Sequence, residues 1–210
     1  MKAIDPGDLS PRDAYELMIG AIVPRPIALV STLSDAGIRN LSPFSFFMGV
    51  SARPPLLALS IAKTRDGEKD TMRNIRATKE FVVNVVDRKT CAAAVISSGE
   101  YAHHVDEFSV AGLEAIPSDK VAAPRVKDCP VHMECVTVEL VDQPAGAAVC
   151  LVIGRVLRFH VSREIRQSDG RIDPALLDPV GRLGGPHYTP LGELFSMPRP
   201  QVDEEGLPIS

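Results

Sequence analysis

From residue 27 onward the chain sets short apolar runs between polar and turn-forming residues. Residues 27–32 (IALVST) are apolar and β-branched and run into Ser34-Asp35-Ala36-Gly37, which marks a turn between strands. IRNLSPFSFFMGVS begins polar and becomes apolar, with Pro43 keeping it from being a regular central strand, so it reads as a hairpin partner that turns irregular. PPLLALSIA predicts a strand entered through prolines. A charged loop at residues 63–69, containing Asp66-Gly67, precedes a short helix through about residue 78, with Asp70 or Thr71 as its N-cap. Residues 81–86 predict a strand, and CAAAVISS a helix stopped by Gly99. PVHMECVTVELVD and AAVCLVIGRVLRFHVS predict two long strands, with Gly154 at a bulge.

Strands at this frequency with brief helices point to an antiparallel barrel rather than a layered βαβ sheet. No G-x-G-x-x-G follows any of the runs, so a Rossmann dinucleotide site has no support. The segment after Pro190 is proline-rich and aperiodic, which suits a mobile tail or an arm lying on a partner subunit.

Composition narrows the class. The 210 residues are 45% hydrophobic and 24% charged, enough apolar surface for one large core with extended ends. A net charge of -4 with scattered lysines and arginines leaves no footprint for nucleic acid. The N-terminus has no apolar signal region and no later run approaches the ~20 residues of a membrane span, so the expectation is a soluble cytoplasmic protein. Cys91, Cys129, Cys135 and Cys150 lack C-x-x-C spacing and read as reduced, mostly buried thiols; His103-His104 reads as a solvated loop pair.

Four constellations carry candidate chemistry. In KDTMRN a helix start offers free N–H groups and partial positive charge, Lys69 adds a full charge, Thr71 a hydroxyl, and Asn74 lies one turn on, all suited to a phosphate. In NLSPFSFF, Asn40, Ser42 and Ser45 surround Pro43 with donors and acceptors, while Phe44, Phe46 and Phe47 supply flat apolar surface for a planar heteroaromatic ligand. Pro24 and Pro26 stiffen the backbone at Arg25, so its guanidinium meets an anion at lower entropic cost. In RLGGPHYTPLG the paired glycines allow close approach to something flat, next to His187 and Tyr188. Each also has a plain structural reading: a capped helix, a bulged strand, an arginine at the barrel edge, a glycine turn.

Their order is more specific than any one of them. PRPIALVST, NLSPFSFF, PPLLALSI, K-D-T-x-x-N-I and EFVVN, in this sequence and spacing, resemble the flavin reductase-like family of FMN-binding split barrels, and R-L-G-G-x-x-Y resembles its flavoprotein oxygenase-associated subgroup. The resemblance covers residues 19–86 closely and 131–162 more loosely. It implies a mainly β protein, a six-stranded antiparallel Greek-key split barrel with a few short helices and an extended C-terminal arm. The implied division is an N-terminal extension at 1–18, an FMN-binding barrel at 19–162, and a segment at 163–210 packed on the barrel or a partner subunit. It implies a homodimer with FMN (FAD being the alternative flavin) at the interface, NADH or NADPH as reductant, and free flavin, an oxygenase or another electron-acceptor protein as recipient. By motif, Lys69, Thr71 and Asn74 would meet the phosphate and Arg25 the flavin or its phosphate. Asn40, Ser42, Pro43 and Ser45 would line the ring edge, and His187 and Tyr188 would reach one of the two flavins of the dimer. The alternative is an FMN electron carrier, or an FMN enzyme with its own organic substrate, without direct nicotinamide reduction. Hydride transfer to flavin needs no protein nucleophile, which agrees with the lack of any G-x-S-x-G element or metal-ligand cluster in the sequence.

Overall fold

The computed structural model describes residues 1–64, 67–142, 148–204 and 207–209. Asp66 of the charged loop, Ala147 at the start of the last long run, and Glu205, Gly206 and Ser210 of the tail lie outside the described residues.

The strands are β1 (Arg25–Pro26), β2 (Ala28–Leu33), β3 (Arg39–Phe44), β4 (Phe47–Ala52), β5 (Pro55–Ala62), β6 (Glu80–Val85), the short pair β7 (Ala115–Ile116) and β8 (Arg125–Val126), β9 (Val131–Asp142), β10 (Val149–Val161), β11 (Gly181–Arg182) and β12 (Tyr188–Thr189). The helices are α1 (Pro11–Ala21), α2 (Asp70–Thr78), α3 (Cys91–Ile96), α4 (Glu107–Ala111) and α5 (Pro174–Leu177). Seven strands form one antiparallel sheet in the order β3-β2-β6-β9-β10-β5-β4. Its outermost strands, β3 and β4, are consecutive in the chain and joined through Ser45 and Phe46. The sheet must therefore curl back on itself, and the β4–β5 ladder runs on into the joint, where the Ser60 N–H donates to Phe46 O at 2.9 Å. The stretch read as one irregular hairpin partner thus supplies two strands, which brings the sheet to seven.

Two apolar clusters lie on opposite sides of this wall. Val30, Leu59, Ile61, Phe81, Val83 and Val152 fill one, while Leu29, Leu41, Val86, Ala94 and Phe108 belong to the other, under α3 and α4. β2 is buried on both faces, which is why its sequence is a continuous apolar run instead of an alternating one. Complete burial of Phe81 contributes roughly 1.5–3 kcal/mol. It requires Gly154 opposite: a Cβ there would stand 2.4 Å from Phe81 Cζ. The register shift expected at this glycine falls between Ile153 and Gly154.

The N-terminal extension carries a helix that the strand-centred reading leaves out. Ser10 caps α1 by accepting a hydrogen bond from Asp13 N at 3.1 Å, and Pro11 occupies the first turn, where its missing N–H is harmless. All four cysteines are free thiols; three are buried and Cys91 is half-buried. No helix among the described residues is long and apolar enough to cross a membrane.

Buried polar groups hold the loop before β9 against the barrel. Glu134, fully buried, accepts from Asp119 N at 2.9 Å and Lys120 N at 2.5 Å and lies 2.5 Å from His160 Nε2. Asn84 Oδ1 accepts from Val126 N at 2.8 Å, and His132 Nε2 donates to Val126 O at 2.7 Å. Burial alone would raise the Glu134 carboxyl, but the hydrogen bonds from Asp119, His160 and Lys120 outweigh it and hold it below its ordinary 4.5. Burial lowers His132 below its ordinary 6.5. Both folded-state values are depressed, so both contributions are complete above the unfolded-state values and are lost as pH falls through the folded ones. Stability is therefore expected to decline in acid, first below about 6.5 through His132 and further below about 4.5 through Glu134. Protection factors of the Asp119, Lys120 and Val126 amides, corrected for the slower intrinsic exchange in acid, should fall in step. Protection factors that do not change between neutral pH and pH about 4 would contradict this account.

Candidate functional site

Two cavities adjoin outside the barrel and share Ser98 in their walls. The larger, about 660 Å³, is bounded by β3, the start of α2, and the chain from α3 to α4. The smaller, about 200 Å³, lies between the seam at Pro43–Ser45, α3, and the β11–β12 turn.

The larger cavity brings together Asn40, Ser42, Lys69 and Thr71. Lys69, rather than Asp70 or Thr71, occupies the N-cap position of α2, and no side chain caps that helix. The Thr71 hydroxyl turns to Asn40 Oδ1 at 2.8 Å. Asn40 is the centre of a buried network: Thr32 Oγ1 also donates to its Oδ1 at 3.1 Å, and its Nδ2 donates to Glu107 Oε1 at 3.1 Å. The other Glu107 oxygen accepts from Leu41 N at 3.2 Å. Burial pushes the Glu107 carboxyl above its ordinary value, with hydrogen bonds from its own N–H, Leu41 N and Asn40 pulling the other way. Asn74 stands behind this layer, donating to Thr32 Oγ1 at 2.9 Å, and supports the network instead of lining the cavity.

Lys69 shares the lining of this cavity with Glu68, Asp70, Glu100 and Glu107. Glu68 pairs with Arg76 at 2.9 Å, and Asp70 pairs with Arg73 and with His103 Nδ1, the latter at 2.9 Å. Lys69 has no carboxylate partner among the described residues, and its ammonium lies 5.8 Å from the centroid of the Phe44 ring. A free lysine beside an uncapped helix start is a donor set suited to a phosphate.

The smaller cavity gathers Pro43, Ser45 and Tyr188 with Tyr15, Phe44 and Cys91, so that proline and aromatic faces suited to a planar ring stand among polar groups. His187 lies outside both cavities. It is exposed, and its backbone closes the β11–β12 turn through Leu183 N to His187 O at 3.0 Å. Arg25 departs most from the expectation of a rim ligand. Only 4% exposed, its guanidinium donates to Ile19 O at 2.6 Å, Ile22 O at 2.7 Å and Leu183 O at 2.9 Å, with Nε 3.4 Å from Ser45 Oγ. Four of its five donors are thereby spent on the protein. It ties the end of α1 and the glycine turn to the seam of the barrel.

Tyr101, His103, His104 and Glu107 in the larger cavity, and Tyr15 and Arg182 in the smaller, are additional to the residues read from motifs. Asp106 accepts from Phe108 N at 3.0 Å as the cap of α4, and that cap was the available signal for Glu107. Nothing local in the sequence places the loop bearing His103 and His104 over α2.

The closed antiparallel sheet is the split barrel of a flavin-reductase-type protein. The chain belongs to that family: the model of the flavin reductase like domain matches residues 19–179. BH2278 of Halalkalibacterium halodurans is 39% identical over 96% of this chain and 98% of its own length. Nitrilotriacetate monooxygenase component B from Bacillus cereus is 36% identical, with a TM-score of 0.89 over 94% of this chain and 98% of its own. The 2-nitrobenzoate 2-nitroreductase NbaA of Pseudomonas fluorescens is 28% identical, with a TM-score of 0.86 over 95% and 96%.

Proposed function

We propose that this protein binds FMN and works as an NAD(P)H-dependent flavin reductase, passing electrons to free flavin or to a partner oxygenase. The observation that carries the reading is the juxtaposition, in two adjoining cavities, of the Lys69–Thr71 helix start with the proline and aromatic faces at Pro43–Ser45. Similarity to an oxygenase component over nearly the whole of both chains supports the choice of recipient. A bound flavin supplies the hydride-accepting ring, which is the chemistry the side chains themselves lack.

The protein's part is binding and orientation. Lys69 and the first N–H groups of α2 hold the phosphate, while Asn40 and Glu107 keep the Thr71 hydroxyl in place. Pro43, Phe44 and Tyr188 exclude water from the ring's surroundings. A second copy of the chain supplies the rest of the enclosure. Met48 and Val50 on β4 and Leu17, Met18 and Ile22 around α1 leave apolar surface exposed beside the seam, as a homodimer interface requires.

The test is an anaerobic titration of the FMN-loaded protein with NADH and NADPH: bleaching of the flavin absorbance is expected with at least one of them. Flavin reduced only by a protein partner would transfer the assignment to an electron carrier. Lys69→Ala should weaken FMN binding by about 1.5–3 kcal/mol, or roughly 10- to 150-fold, with little change in melting temperature. Riboflavin, which lacks the phosphate, should bind both forms alike, and an equal loss for the two ligands would rule out the phosphate contact.

A further inference from the structure

Arg182 is a cation that the reading above leaves unused. Its position is set by backbone pairing, opposite Arg25 on one side and Tyr188 on the other. The guanidinium lies 4.4 Å from the Tyr188 ring centroid, and Nη2 donates to Gly185 O at 2.7 Å. These contacts orient the plane but do not neutralise it. Among the described residues no carboxylate pairs with Arg182, whereas Arg39, Arg73 and Arg88 each have one and Arg76 has two. It lines the smaller cavity beside Pro43, Phe44, Ser45 and Tyr188. Its field reaches across that cavity to Cys91, where burial raises the thiol and the Arg182 charge pulls against it. A cation without a carboxylate partner in the cavity wall favours a ligand that carries or acquires negative charge there.

We propose that Arg182 is the charge that stabilises the reduced state of the flavin ring, an inference that rests on the FMN reading above. The oxidised ring is neutral. A hydride from NAD(P)H brings two electrons and one proton and leaves NAD(P)+, so the ring gains one net negative charge when no second proton follows. Arg182 compensates that charge, which makes the bound ring a better acceptor. The phosphate, held through Lys69, is unaffected by this change of charge.

The test compares Arg182→Met, which removes the charge and keeps most of the volume, with Arg182→Lys, which keeps the charge. FMN midpoint potentials and dissociation constants of oxidised FMN are measured near neutral pH. In Arg182→Met the oxidised affinity should change by no more than about twofold, and the reduced affinity should fall about tenfold more, which is a midpoint lower by about 30 mV for a two-electron couple. Arg182→Lys should recover more than half of that difference. Equal midpoints in the unaltered and Met proteins, with FMN bound to both, overturn the inference. A full loss in Arg182→Lys also overturns it, because the effect would then come from the stack on Tyr188. Should Arg182→Met fail to hold FMN, Arg182→Gln takes its place with the same expectation. If the unaltered protein binds no FMN, the FMN reading fails and this inference with it; bound FMN with an unmoved potential removes this inference alone.

Discussion

Replacing Arg25 with alanine is expected to destabilise the fold by about 3–5 kcal/mol, because three main-chain carbonyls lose a charged donor together and stay largely out of water. For a chain of this size that is a drop in melting temperature of roughly 10 °C. Arg25→Lys should recover only part of it, since one ammonium cannot reach carbonyls that approach a planar guanidinium from different sides. FMN affinity, measured well below the new midpoint, should fall no more than a few-fold, as an indirect result of loosening Ser45 and Leu183. A large affinity loss at unchanged stability would instead restore Arg25 to the role of a direct ligand at the rim.

Asn40→Leu keeps side-chain volume and removes the centre of the buried network. Thr32, Thr71 and Glu107 each lose a partner, and the expected cost is about 3–5 kcal/mol from groups left unsatisfied out of water. Binding should suffer as well, since Thr71 loses the acceptor that fixes its hydroxyl beside Lys69. Glu107→Gln offers a graded comparison: it retains an acceptor for the Asn40 Nδ2 donor and should cost less than half as much. If Asn40→Leu melted within a degree or two of the unaltered protein, the network would not be holding the site.

The parts of the molecule that read well from sequence are those determined by near neighbours. β2, β5, β6 and the two long strands β9 and β10 follow from apolar runs bounded by turns, and α2 from its polar start and its place between loop and strand. The seam at Ser45-Phe46 was harder, because one apolar stretch divides into two strands only where the closed sheet demands it. The site divides along the same line. Lys69 and Thr71, read as a phosphate pair, share one cavity with Asn40 and Ser42, read with Pro43 and Ser45 as a ring edge, and Thr71 and Asn40 spend hydrogen bonds on each other. Arg25 reads from sequence as a surface ligand because the acceptors that bury it are distant or structurally remote: carbonyls at the end of a helix outside the strand pattern and at Leu183. Asn84 teaches the same lesson in reverse. It belongs to a motif associated with flavin binding, but its side chain bonds Leu29 O, Ser31 Oγ and Val126 N inside the scaffold.

The Arg25 tether has a topological side. Through one guanidinium the chain at Ile19 and Ile22 meets the chain at Leu183, so a loop containing nearly the whole barrel is closed without a covalent bond. The two ends of the domain therefore act as one fastening. Trimming the C-terminal segment before Leu183 loosens α1 at the opposite end of the sequence, and an N-terminal deletion past Ile19 frees the turn that carries Arg182 and Tyr188.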